Sequence, residues 1–245
     1  MNKFSKLKQG LPAAFVILSA AIFTLGQDSS TKQNVRPDRG IGSQTTTTAN
    51  AVVPNASIKY SYEFTQPKFY VKHIVLEHGP NGRGTITFER MNEDVPVVEN
   101  IEISPAVLSK LNTFWAGLDF LNSDANYQSS QDFSHLGTMK ISMQQGERKR
   151  VAEFNWTHND NASGLITEYK RIAEQAILVF DISVARENQP LNSPKLMEVM
   201  ESFIKRNQLS DPKQLLPLLR EMSTDEHIPL MARNHAIRII KLIEK

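Results

Sequence analysis

The chain of 245 residues contains no cysteine. That excludes disulfides, thiolate metal sites, cysteine nucleophiles and a lipidated N-terminal cysteine, so stability comes without covalent staples. Long apolar runs are almost as scarce, the exception being Leu11 to Leu25. Several catalytic signatures are missing as well. No Gly-rich phosphate loop with its lysine, no Gly-x-Ser-x-Gly elbow and no His-Glu-x-x-His helix occurs. Gly79 to Gly84 is glycine-rich but lacks the helix that must follow a phosphate loop, so it reads as a turn. An excess of one charge is also absent: Lys and Arg number 28, Asp and Glu 26. Setting aside Lys3, Lys6 and Lys8 of a targeting segment leaves 25 basic residues against the same 26 acidic ones. A near-neutral chain has no electrostatic footprint for nucleic acid or for an anionic membrane surface.

What is present is an ordinary globular composition, 40% hydrophobic and 22% charged, with enough apolar residues for a real core. Met1 to Gly26 joins a basic start to the apolar run and then to small residues, the three-part pattern of a secretory signal peptide. The run is short for a membrane span, which predicts cleavage after Gly26; the alternative is an uncleaved N-terminal anchor, the sole membrane attachment expected. Residues 27–56 hold few large apolar side chains and a threonine tract, Thr45 to Thr48, and read as a disordered tether. Together these features predict a periplasmic or secreted protein.

The folded region begins near Ser57 and is organised around Phe69 to Arg90. β-Branched and aromatic residues crowd Phe69 to Leu76 and Thr85 to Phe88, and the turn-formers between them predict a hairpin. Ile86 and Phe88 face one way, Thr85, Thr87 and Glu89 the other, so one face needs cover. Ile58 to Phe64 and Val97 to Ile103 read as further strands. Ser104-Pro105 opens a helix whose stripe of Val107, Leu111, Phe114, Trp115 and Leu118 should lie on the hairpin. A second hairpin follows, with Met139, Ile141 and Met143 on one strand and Ala152, Phe154 and Trp156 on the other. Its tip carries Arg148, Lys149 and Arg150, read as a solvated face. A long helix then runs from about Leu165. After Pro190 the pattern is purely helical: Ser193-Pro194 and Asp211-Pro212 open two helices and Asp225 caps the last. The expected fold is α+β, with an α+β domain over 57–188 and a small helical region over 189–245.

At Leu215-Leu216-Pro217-Leu218-Leu219, Asp225, Ala232-Arg233, Ala236 and Ile240, the C-terminal helix pair resembles one HEAT repeat, spanning Leu215 to Ile243. The link from Asp225 to Arg233 is longer than the family pattern and no second repeat is visible. The resemblance implies that a lone copy packs on the β-region or on another chain. The order of hairpins and helices from Phe69 to Phe180 resembles, in layout only, small bacterial domains of unknown function and emfourin-type protease inhibitors.

No metal site and no cofactor is expected. His73 and His78 lie five residues apart, so on a strand their rings fall on opposite faces; His73 with Glu77 shares a face but gives two ligands only. His227 and His235 read as surface residues. Two functions stay open. One is an exported, non-enzymatic module that binds another protein. The alternative is an exported hydrolase using the loop residues His135, His158 and Asp160, which need to converge in a pocket with a nucleophile.

Overall fold

Tyr60, Tyr62 and Phe64 alternate with Ser61 and Glu63 along Ile58–Thr65, so strand β1 has one aromatic side and one polar side. In the computed structural model, which describes residues 57–245, this strand is the seam of the molecule. On one side it pairs with the predicted hairpin, β2 (Val71–His78) and β3 (Arg83–Arg90). On the other it pairs with the second hairpin, β5 (Thr138–Gln145) and β6 (Arg148–Phe154). With β4 (Val97–Glu102) outside β3, the two hairpins merge into one antiparallel six-stranded sheet of order β4-β3-β2-β1-β5-β6. The β2–β3 reversal closes through hydrogen bonds from Gly79 N–H to Arg83 O and from Gly82 N–H to Gly79 O, each 3.0 Å. Gly82 adopts φ 77°, a conformation that glycine reaches without a Cβ clash.

Two helices cover the aromatic side. Helix α1 (Pro105–Leu118) starts where predicted: Ser104 Oγ accepts the Val107 N–H, and Pro105 occupies the first turn. Its buried Val107, Leu111 and Trp115 join Tyr60, Tyr62 and Leu76 of the sheet. Helix α2 (Asp160–Asn188) is 29 residues long, about 43 Å at 1.5 Å per residue. Its first half, with Leu165, Tyr169 and Ile172, completes that sheet core. Its second half does different work. Leu178 and Ile182 pack with Met197 and Met200 of α3 (Ser193–Lys205), Leu219 of α4 (Leu216–Thr224) and Ile239 of α5 (Leu230–Ile243). The C-terminal helices thus rest on α2, reaching β4 through a hydrogen bond from Gln214 Nε2 to Glu102 O.

The fold is α+β with a helical C-terminal region, as expected. Several local expectations are corrected. Asp225 does not cap α5, which Pro229 precedes; it closes α4, where Arg186 of α2 reaches its carboxylate at 3.1 Å. Ser193 is a buried residue of α3 and not its cap, and Asp211 caps a 3-10 turn (Pro212–Leu215) ahead of α4. His235 is buried, because Ala232, His235, Ala236 and Ile239 form one helical stripe on the inner side of α5. Its Nε2 lies 2.7 Å from Glu201 of α3. The Arg148 to Arg150 tip is more than a solvated face: Arg150 donates to Phe120 O and Ala125 O and stacks on the Phe120 ring, 4.6 Å from its centroid. The signal peptide and tether expectations lie outside the described residues.

Candidate functional site

Antiparallel registers bring Thr65, Val71, Arg90, Val97, Thr138 and Phe154 to one end of the sheet, so four loops meet there. Gln66 holds two of them together. Its buried side chain donates from Nε2 to Ser134 O at 3.1 Å and to His135 O at 2.8 Å, while its Oε1 accepts the Lys68 N–H. The strand predicted from Phe69 consequently starts two residues later, since Pro67 and this amide turn the chain first. Phe69 and Tyr70 become loop residues, 44% and 58% exposed. Leu136 (42%) and Trp156 (40%) are exposed on the adjoining loops, as are Met91 and Val95 beyond β3. Tyr70 is braced from behind: the Arg90 guanidinium lies 5.5 Å from its ring centroid and is itself bonded to Asp181 of α2. Aromatic side chains gathered on pinned loops form a preorganised surface.

Between these loops and α2 lies a cleft of about 620 Å³, walled by Tyr62, Phe64, Phe69, Ile74 and Ile177. Two charged side chains reach into it from successive turns of α2, Lys170 and Glu174. Surrounding protein disfavours both charges. Burial lowers the Lys170 ammonium from its ordinary range, with Glu174 opposing, and burial raises the Glu174 carboxyl, with Lys170 opposing. Both side chains still reach solvent at the cleft mouth. Among the described residues neither has an ion-pair partner within 4.0 Å. The Lys170 ammonium instead lies over the Phe64 ring, 5.9 Å from its centroid. Lys68 adds a second cation at the rim. Such a site can hold an apolar group against aromatic faces and set an ammonium on an anion.

The residues proposed for hydrolysis lie on two segments at this end of the sheet. His135 sits in the aromatic loop region, its ring 6.0 Å from Phe133, while His158 and Asp160 are exposed at the start of α2. Among the described residues no hydrogen bond joins any two of the three. His73 and His78 do fall on opposite faces of the sheet. His78 is buried among aromatics, whereas His73 faces Glu63 Oε1 at 3.3 Å and Glu89 Oε1 at 3.2 Å on the uncovered face. Glu77 pairs with Lys59 at 2.8 Å and not with His73. Among the described residues no group of three or more His, Asp or Glu side chains could hold a metal ion.

Sequence reasoning missed Gln66, Lys170 and Glu174. The pair on α2 carries the i, i+4 spacing of a solvated helix face, which has no signature of a cleft. Gln66 beside Pro67 was legible as a break in the strand pattern. No protein-family model and no curated protein matches the chain.

Proposed function

We propose that this chain is an exported, non-enzymatic module that binds another protein through the loop end of its sheet. Export rests on the basic start and apolar run of Met1 to Gly26. Among the described residues no helix is long and apolar enough to cross a membrane. The observation that supports binding is the gathering of exposed Phe69, Tyr70, Met91, Leu136 and Trp156 on neighbouring loops. Large apolar side chains exposed together mark interaction surfaces, and aromatic residues dominate the energetics of protein interfaces. In the same reading α4 and α5 are a lone HEAT-like repeat, its inner face covered by α2 and α3 in place of neighbouring repeats.

The test is a photo-crosslinker placed at Tyr70 in the full chain and irradiated in the native envelope. A discrete crosslinked protein is expected, and Phe69→Ser should abolish it. A crosslinker at exposed Val184 of α2 serves as the control. Equal crosslinking from both positions, or none from Tyr70, would refute the reading.

A further inference from the structure

The cleft holds an ammonium against an aromatic wall with no carboxylate within ion-pair distance. Lys170 and Lys68 are its two cations and Glu174 is its one carboxylate, so the exposed mouth of this apolar-walled cleft carries a net positive charge. A ligand that satisfies it must bring a large apolar group and an anion close together. Aspartate and glutamate inside a chain do this poorly, because their stems are short and the peptide groups on either side would also enter the cleft and need hydrogen-bond partners. A C-terminal residue does it well. Its carboxylate and its side chain leave the same Cα, and no further chain has to fit. The volume, about 620 Å³, is that of a small-ligand pocket and not of a long groove.

We propose that the cleft receives the C-terminal residue of the partner chain, with its apolar side chain against Phe64 and Phe69 and its free carboxylate on the Lys170 ammonium. This inference rests on the protein-binding reading and names the part of the partner that is read. Glu174 then acts in selection. It lies one helical turn, about 6 Å, along α2 from Lys170 and repels a second anion, so an acidic terminal residue is refused where phenylalanine or leucine is accepted.

The experiment is fluorescence anisotropy of the full chain with short N-terminally labelled peptides. One ends in phenylalanine as the free acid, one in phenylalanine amide and one in aspartate. The free acid should bind at least about tenfold more tightly than the amide, the size of effect that a charge-assisted hydrogen bond supplies. Lys170→Gln should bring the acid down to the level of the amide without changing Tm, and Glu174→Gln should improve binding of the aspartate peptide. Equal binding of acid and amide, or an acid preference that survives Lys170→Gln, would overturn the proposal. So would binding of decanoate with no peptide bound, which would make the site a small-molecule pocket. These results are separable from failure of the wider reading: loss of the terminus effect with Tyr70 crosslinking intact removes the proposal alone, whereas loss of crosslinking removes both.

Discussion

The hydroxyl of Tyr169 lies 2.8 Å from Nε2 of His78 inside the core, although 91 residues separate them in the chain. The direction of this bond follows from its neighbours. Gly79 O, 2.8 Å from His78 Nδ1, can only accept, so Nδ1 carries the ring proton and Nε2 accepts from the tyrosine. The tyrosine oxygen in turn accepts the Trp115 Nε1–H at 3.0 Å. Tyr169→Phe would leave a buried ring nitrogen and a buried indole N–H without partners, each costing about 1–3 kcal/mol. Calorimetry should show Tm lowered by several degrees. An unchanged Tm would mean that the network is not closed in solution.

His78 also makes stability depend on pH. Burial disfavours its imidazolium and outweighs the opposing bond to Gly79 O, so its folded pKa lies below the ordinary 6.5. The unfolded chain then binds the extra proton. The His78 contribution is complete above about pH 6.5 and is lost as pH falls toward the folded value. A second loss follows below the ordinary carboxyl value of 4.5. The hydrogen bond with His73 lowers Glu89, and at Glu63 the bonds to Lys140 and His73 overcome a burial effect that alone would raise it. Urea midpoints should decline in two stages between about pH 7 and pH 3, and His78→Gln should remove the first stage.

The C-terminal helices are predicted to be integral to the fold. Ile239 is fully buried against α2, α3 and α4, whereas Ile237 is 40% exposed on the same helix. Ile239→Asp buries an unpaired charge and should cost several kcal/mol, on the order of the stability of a small domain. Ile237→Asp should fall within about 0.5 kcal/mol of the parent. Chemical denaturation of the two variants decides it, since similar midpoints would mean that α5 does not pack as described.

Gly84 is needed for a close approach within the sheet. A Cβ at this position would lie 1.8 Å from the Glu77 carbonyl oxygen, so alanine must push β3 off β2. Gly79→Ala, in the adjoining turn, meets nothing nearer than Asn81 Oδ1 at 3.2 Å. Gly84→Ala should lower stability by more than about 2 kcal/mol, as overpacking does, with Gly79→Ala costing less. Thermal melts of both would expose the error if their order were reversed.

Much of the fold was legible because its periods are local. The alternation around Ile86 and Phe88, the Ser104-Pro105 helix start and the stripe through Leu111 and Trp115 each need only a few neighbours to be read. Boundaries failed where a distant group intervened. Phe69 and Tyr70 continue the β-rich composition of β2, yet the Gln66 side chain, bonded to residues 134 and 135, draws them into a loop. Asp225 has the chemistry of a helix cap and its Oδ1 does accept the His227 N–H, but the chain runs on through Pro229 before α5 begins, and Oδ2 binds Arg186 of α2. His235 looked like a surface residue until the inner stripe of α5 was set against Glu201.

By itself the sequence determined the element types, the order of strands and helices and, for β3, β5 and α1, the face that would be buried, because backbone propensity and side-chain period act over a few residues. Only the tertiary structure decided that β1 would join both hairpins into one sheet and that α2 would serve two cores. It also decided that Phe69, Lys170 and Glu174 would share a cleft. Those outcomes depend on which hydrogen-bonding edges and apolar faces find each other across long stretches of chain. That choice is made by the burial of the whole surface at once and has no local signature.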